Sequence, residues 1–357
     1  MKVLIVAGGT GGHVYPAVAI GECFKRHIQE VIFVGRKGSF EEQKYDDYGF
    51  KQYSIIASQF NFDIKSIFLF IMNFIRGVFE SFKIIKKEKP NAIIGLGGYV
   101  SAPVVFAAII MRVKLFLHEQ NTVPGRTNRI FSKFAEKVFL GFPDESNFFR
   151  EKGIFTGNPI REIIKTKEES KALCFFNFDN HRPTLLVFGG SGGSNRLNIV
   201  FTKIAAEILN LVDINIIFIT GEKFYDRIIH EFPQDHRLKV FPYLEEMNLA
   251  YSISDLAVTR GGAMTLSELS FFGIPSIVIP FPFARDNHQF KNAQYLEKRG
   301  CLEIIEEKDL TEEKLRNSVV YYFKHHGIIK KKSLSCINAF PWDSAERIYT
   351  EVLKSIR

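Results

Sequence analysis

The chain opens on Lys2-Val3-Leu4-Ile5-Val6-Ala7-Gly8-Gly9-Thr10-Gly11-Gly12-His13-Val14-Tyr15-Pro16, and the reading of this stretch decides the fold. A short apolar run is followed by a glycine turn and then by residues with helical periodicity. That order predicts a strand, a loop and a helix N-terminus, where unpaired backbone N–H groups and the helix dipole converge on an anion site. A nucleotide phosphate loop fails on spacing. Counted from Gly9, the pattern G-x-G-x-x-G needs glycine at Val14, and no lysine follows where a P-loop requires one. The failed spacing also argues against an NAD-dependent oxidoreductase.

Strand-like runs at residues 30–35, 51–56, 92–95, 114–117 and 137–140 alternate with helical patterns at 15–26, 64–87, 101–111 and 126–134. Such alternation implies a parallel sheet covered on both faces by helices. Pro16 and Pro103 are expected near helix starts, where a missing N–H costs nothing. The second half restarts the scheme. Residues 183–188 lead into Gly189-Gly190-Ser191-Gly192-Gly193-Ser194 and a helix to about 211, with further strands at 215–220, 238–241, 256–259 and 275–279. The echo predicts an α/β protein of two doubly wound, Rossmann-like domains facing each other across a cleft, with ligands at the C-terminal ends of the strands. The boundary is placed at Gly157-Asn158-Pro159-Ile160-Arg161, giving domains at residues 1–160 and 161–341. After the break at Phe340-Pro341-Trp342, a last helix at about 342–357 is expected to pack back on the first domain.

A length of 357 residues suits two domains, each able to bury a core. The four cysteines, Cys23, Cys174, Cys301 and Cys336, are scattered without C-x-x-C, so neither a disulfide framework nor a zinc site is suggested. The N-terminal apolar run is too short for a signal peptide and ends in glycines and His13. Residues 1–160 hold 21 Lys/Arg against 14 Asp/Glu, whereas 161–357 hold 26 against 25. The basic surplus in the first half suits nucleic acid, anionic lipid or a diphosphate, or is simply a solvated face.

In residues 64–87, a 3.6-residue period puts Ile64, Phe68, Ile71, Ile75, Phe79 and Phe82 on one face. Lys65, Arg76, Glu80 and Lys83 interrupt the stretch, which falls short of the ~20 uncharged residues that span a bilayer. The apolar face, flanked by Lys83, Lys86, Lys87 and Lys89, fits an anionic membrane surface. The alternative is a core helix plus a hydrophilic turn, which periodicity alone favours.

Two clusters in the second half carry chemistry. Arg260-Gly261-Gly262 joins a strand to a helix that begins Ala263-Met264-Thr265-Leu266-Ser267-Glu268. Glycines let a ligand approach the backbone, the helix N-terminus favours an anion, Arg260 adds a fixed charge, and Glu268 suits a ribose diol. After the next strand, Pro280-Phe281-Pro282-Phe283-Ala284-Arg285-Asp286-Asn287-His288-Gln289 forms a polar loop suited to a sugar.

These clusters, with residues 8–16, Gly97-Gly98-Tyr99-Val100-Ser101, His118-Glu119-Gln120-Asn121, the Gly157 stretch and Gly189-Gly190-Ser191, come in an order that resembles the MurG family of GT-B glycosyltransferases over nearly all 357 residues. The resemblance implies inverting transfer of N-acetylglucosamine from UDP-N-acetylglucosamine to the MurNAc C4 hydroxyl of undecaprenyl-diphospho-MurNAc-pentapeptide (lipid I). The product is lipid II for peptidoglycan. It further implies Ser191 near the donor phosphates, Arg161 and Leu244 beside the uridine, and Ala263, Met264, Thr265, Leu266, Ser267 and Glu268 on diphosphate and ribose. Gln289 then meets the N-acetylglucosamine, joined by Thr10, Gly11, Gly12 and Asn121 from the first domain. Ser194 departs from the family, which usually has alanine there.

The transfer needs a base for the acceptor hydroxyl and positive potential for the leaving diphosphate. His13 is the candidate base, with Glu119 its rival. No Asp-x-Asp occurs in the chain, and no metal or other cofactor is expected. The expected partners are UDP-N-acetylglucosamine, lipid I, an anionic membrane surface and cell-wall or division machinery, with no nucleic acid. The expected place is the cytoplasmic face of the cell membrane, as a peripheral protein. A GT-B-like UDP-N-acetylglucosamine 2-epimerase and a non-catalytic sugar-nucleotide-binding subunit are the alternatives.

Overall fold

The computed structural model describes residues 1–59, 64–179, 181–190, 192–232 and 234–356. It divides into two compact units, Met1–Arg161 with Pro341–Arg357, and Glu162–Phe340.

The first unit holds seven parallel strands: β1 (Lys2–Val6), β2 (Glu30–Arg36), β3 (Lys51–Ile55), β4 (Ala92–Gly95), β5 (Lys114–Glu119), β6 (Lys137–Leu140) and β7 (Gly153–Phe155), in the order β3-β2-β1-β4-β5-β6-β7. Along β1 the side chains alternate between two cores. Val3 and Ile5 join α1 (Gly11–Arg26), while Leu4 and Val6 join the opposite layer. Both faces are buried, so the strand reads as one apolar run rather than an alternation. Between the other strands run α2 (Phe40–Asp47), α3 (Ile64–Glu88), α4 (Gly98–Ile110) and α5 (Arg126–Phe131).

The helix at the end of the chain, Ser344–Ile356, belongs to this unit. Its Ile348 and Val352 are fully buried in the α1 layer. Each such aliphatic side chain contributes roughly 1.5–3 kcal/mol of burial. Ser344 Oγ donates to Gly157 O at 2.6 Å, and Phe24 meets Tyr349 edge-on at 5.1 Å.

The second unit holds β8 (Thr184–Phe188), β9 (Asn215–Ile219), β10 (Leu238–Phe241), β11 (Leu256–Thr259), β12 (Ser276–Val278) and β13 (Leu302–Ile304), in the order β10-β9-β8-β11-β12-β13, all parallel. Both sheets reverse winding beside their first strand, between β1 and β4 and between β8 and β11. In an open parallel sheet the two neighbouring loops diverge there and leave a crevice for a ligand.

Three expectations change. The short strands β7 and β13 were not foreseen, since three residues carry too little pattern. Pro16 and Pro103 are each the sixth residue of their helix, not in its first turn. Each therefore removes the bond that the carbonyl of Gly12 or Tyr99 would accept. Third, α3 is divided along its length. Val78, Ser81, Ile84 and Ile85 are buried and Phe82 packs against the core, whereas Phe68, Leu69, Ile71, Ile75 and Phe79 are exposed. The side chain of Ile64 lies outside the described residues.

Candidate active site

In the first unit the crevice between β1 and β4 is built from glycines. Gly9 has φ +99°, and Gly97 and Gly98 have φ +83° and +76°, conformations an L side chain rarely adopts. A Cβ on Gly98 would stand 2.7 Å from Gly8 O, so the two loops touch through bare backbone. The helices α1 and α4 both start here and aim their N-termini at the same crevice.

Thr10 is the N-cap of α1, yet its side chain makes no capping bond. Its Oγ1 lies 3.2 Å from His13 Nδ1 instead. The other ring nitrogen, Nε2, lies 3.6 Å from where a Cβ on Gly97 would stand. His13 thus sits over the switch point with Gly11 and Gly12 beside it.

Glu119, at the end of β5, is 3% exposed. Its Oε1 accepts from Asn121 N at 3.1 Å and Asn121 Nδ2 at 3.4 Å, and its Oε2 accepts from Gly125 N and Asn128 Nδ2, both at 2.8 Å. Burial pushes the carboxyl up, against these donors. A carboxylate offers about four acceptor sites, and four bonds occupy them. Glu119 shapes the loop that presents Asn121, and this occupancy argues against it as the base.

His118 is fully buried, and burial holds its imidazole down to about 3. Its Nδ1 lies 3.1 Å from Gln120 Nε2. Because the folded value is below the unfolded one, His118 contributes stability that is present above about pH 6.5 and is lost as pH falls toward 3. Denaturant titrations between pH 6 and 4 should show this as a slope of about 1.4 kcal/mol per pH unit that His118→Gln removes.

In the second unit, the loop after β8 is curled tightly. A Cβ on Gly193, whose φ is +71°, would meet Thr220 O at 2.3 Å. Ser194 caps the following helix, Asn195–Leu211, accepting from Leu197 N at 3.4 Å, and its Oγ also accepts from Arg260 Nη2 at 2.6 Å. The departure at Ser194 therefore adds a cap. Ser191 lies outside the described residues.

The helix Ala263–Phe272 after β11 differs. Its N-cap is Gly262, which has no side chain to cap the first N–H groups. Those donors stay available to a ligand. Ala263, Met264, Leu266 and Ser267 are buried, so they face such a ligand with backbone, while Thr265 is half-buried. Glu268, 8% exposed, accepts from Tyr251 OH at 3.0 Å. Gln289 Oε1 accepts from Gly261 N at 3.2 Å and Phe281 N at 3.0 Å, which turns its NH₂ end away from those loops. Leu244, after β10, is a buried core side chain that can offer only its backbone.

Arg260 is a correction. Its guanidinium was expected to add a fixed charge for an anion. It is 8% exposed, pairs with Glu307 at 2.5 Å, and donates to Ile279 O at 3.1 Å as well as to Ser194. Its charge is largely spent within the protein, and it ties three loops together. Arg161 lies with the first unit, stacked 3.8 Å over the Tyr15 ring and donating to Tyr48 OH at 3.0 Å.

The structure thus brings together Thr10, Gly11, Gly12, His13, Glu119 and Asn121 around β1, β4 and β5. It brings residues 263–268 and Gln289 together around β11 and β12. Asn128, Tyr251, Asn292 and Glu307 were missed because each acts on a partner outside its own local motif. Asn292 Nδ2, for example, donates to Gly261 O at 3.2 Å, a contact no local pattern announces.

Residues 3–140 match the glycosyltransferase family 28 N-terminal domain, and residues 184–339 match the glycosyltransferase family 28 C-terminal domain. Two relatives carry the name UDP-N-acetylglucosamine--N-acetylmuramyl-(pentapeptide) pyrophosphoryl-undecaprenol N-acetylglucosamine transferase. The one from Caldanaerobacter subterraneus subsp. tengcongensis is 34% identical, with 100% of each chain covered. The one from Clostridioides difficile is 37% identical over 99% of this chain and 89% of its own. The crystal structure of Acinetobacter baumannii MurG superposes with a TM-score of 0.77 at 23% identity, covering 99% of both chains. A UDP-GlcNAc 2-epimerase from Neisseria meningitidis bound to UDP-GlcNAc gives 0.71 at 14% identity, covering 99% of this chain and 100% of its own. At those identities the two likenesses show a shared fold.

Proposed function

The chain belongs to glycosyltransferase family 28, and from that premise we propose that it moves N-acetylglucosamine from UDP-N-acetylglucosamine to the C4 hydroxyl of lipid I, giving lipid II. The observation that carries the reading is the second-unit site. A helix N-terminus without a side-chain cap stands one turn before a nearly buried carboxylate, Glu268. N–H donors suit a diphosphate and a carboxylate suits a ribose diol, so the pair fits a nucleoside diphosphate sugar.

In this mechanism the amides of Ala263, Met264 and Thr265 take the charge that grows on the leaving UDP, together with the loop at Ser191. The NH₂ end of Gln289 meets the sugar. In the first unit, the N-termini of α1 and α4 hold the acceptor's diphosphate. His13, whose Nδ1 lies 3.2 Å from Thr10 Oγ1, takes the proton of the attacking hydroxyl. The C4 oxygen bonds to the anomeric carbon as the bond to the UDP oxygen breaks, with inversion.

Release of UDP from UDP-N-acetylglucosamine should depend on an added lipid I analogue. Donor epimerisation or hydrolysis at a comparable rate without acceptor would replace the transferase with the epimerase reading, and donor binding without turnover would favour the non-catalytic subunit.

Among the described residues no helix is long and apolar enough to cross a membrane. The exposed strip on α3, continued by Phe106 and Ile110 of α4 and flanked by lysines, supports peripheral docking on an anionic cytoplasmic membrane face. Phe82 packs inward, so the test uses Phe68→Asp with Phe79→Asp, at positions 67% and 64% exposed. The double variant should keep its melting temperature and lose cosedimentation with phosphatidylglycerol vesicles. Unchanged vesicle binding would move the docking face elsewhere.

A further inference from the structure

The contact between α1 and the last helix contains a polar cluster that the transfer chemistry does not use. Cys23 and His27 stand one helical turn apart at the end of α1, and Glu346 reaches them from helix Ser344–Ile356. Cys23 is fully buried. His27 Nε2 lies 2.8 Å from Glu346 Oε2, and one ligand atom from each of the three residues lies within 4.8 Å of the other two. Arg26 Nη2 donates to the other carboxylate oxygen, Oε1, at 3.0 Å. The His27 ring stacks on Tyr349 with centroids 4.0 Å apart and planes 6° from parallel.

We propose that Cys23, His27 and Glu346 form a site for a borderline-soft divalent cation, Zn²⁺ foremost, that staples the last helix to α1. Sulfur, imidazole nitrogen and carboxylate oxygen are the donors zinc accepts, and tetrahedral coordination sets them roughly 3.3–3.5 Å apart. The cluster is within a small side-chain adjustment of that spacing. The side chains of His27 and Glu346 are 40% and 44% exposed, which admits water as the fourth ligand. Thiolate plus carboxylate would neutralise the ion.

The groups around these ligands fit the same purpose. Arg26 holds the carboxylate by the oxygen the metal does not need, and Tyr349 fixes the plane of the imidazole, both orienting roles typical of a metal site's outer shell. On binding, the cation replaces the thiol proton of Cys23, which passes to solvent. The sulfur donor selects against Mg²⁺ and Ca²⁺. Sequence spacing concealed the site because Glu346 lies more than 300 residues from its partners.

The test uses the full chain, stripped with chelator and given Zn²⁺ or Co²⁺ alone. One equivalent of Zn²⁺ should survive gel filtration and raise the melting temperature, and Co²⁺ should give a thiolate charge-transfer band in the near ultraviolet. Cys23→Ser and His27→Ala should each abolish the band, and Glu346→Gln should weaken retention at least tenfold. Cys174→Ser, which alters an exposed cysteine elsewhere, should change nothing. His27 is partly exposed, so its variant keeps the test open should Cys23→Ser fail to fold. Absence of retained metal, or a band that persists in His27→Ala, would leave the cluster as a hydrogen-bonded contact and overturn the proposal.

Discussion

His13→Ala is expected to lower kcat by roughly 10²–10⁴-fold, the usual worth of a positioned general base. The Kd for UDP-N-acetylglucosamine should change far less. The asymmetry follows from where the groups lie. His13 belongs to the first unit's crevice, over Gly97 and Gly98, whereas the proposed diphosphate and ribose contacts belong to β11 and β12 of the second. Thr10→Val gives a graded companion, because it keeps the imidazole and removes the oxygen beside Nδ1. It should slow turnover by less than His13→Ala does. Donor affinity and kcat falling together in His13→Ala would make the histidine a positioning residue. Single-turnover rates with saturating donor, beside equilibrium binding of UDP-N-acetylglucosamine, separate the two.

Gly261→Ala is expected to weaken donor binding at least tenfold and to cost about 1–3 kcal/mol of stability, as overpacking does. A Cβ at this position would stand 2.3 Å from Gln289 O and 2.9 Å from its carbonyl carbon. The obstacle is backbone in the first turn of helix His288–Glu297, so no side-chain rotation relieves it. The same two loops are bolted by Gln289 Oε1 on Gly261 N and by Asn292 Nδ2 on Gly261 O. Moving them apart displaces the amides of Ala263 to Thr265 and the NH₂ end of Gln289 together. At Gly262, by contrast, the only atom among the described residues within 4 Å of a Cβ position is Thr265 Oγ1 at 3.7 Å, so Gly262→Ala should keep its stability. Calorimetric binding of UDP-N-acetylglucosamine decides it, and donor affinity kept in Gly261→Ala would show that residues 263–268 do not hold the donor.

Much of the fold was legible because its signals are local. An apolar strand, a glycine turn and a helix start are adjacent in the chain at residues 2–16 and again at 183–211, and the repetition announced two doubly wound sheets. The strands β7 and β13 escaped because three residues do not make a period. Residues 263–268 and Gln289 could be named as candidate ligand contacts from their order alone. The environment of Arg260 was not, because the charge that cancels it sits at Glu307, 47 residues on.

Glu119 shows the same limit. As a letter beside His118 and Asn121 it reads as a base, and only the fold reveals four donors around its two oxygens. The helix at residues 64–87 is a third case. Its periodicity favours a core helix, yet only the C-terminal half packs against the α4 layer and the Phe68 to Phe79 strip lies outside.

Neighbouring residues in the chain set the parallel sheets and the glycine turns at their switch points. Each of these depends on neighbours within about one helical turn or one strand. Tertiary structure alone decided which charges are already neutralised, which half of α3 is exposed, and that Glu346 meets Cys23 and His27. Those outcomes depend on groups brought together across tens to hundreds of residues, where desolvation and pairing set the chemistry and no local pattern records them.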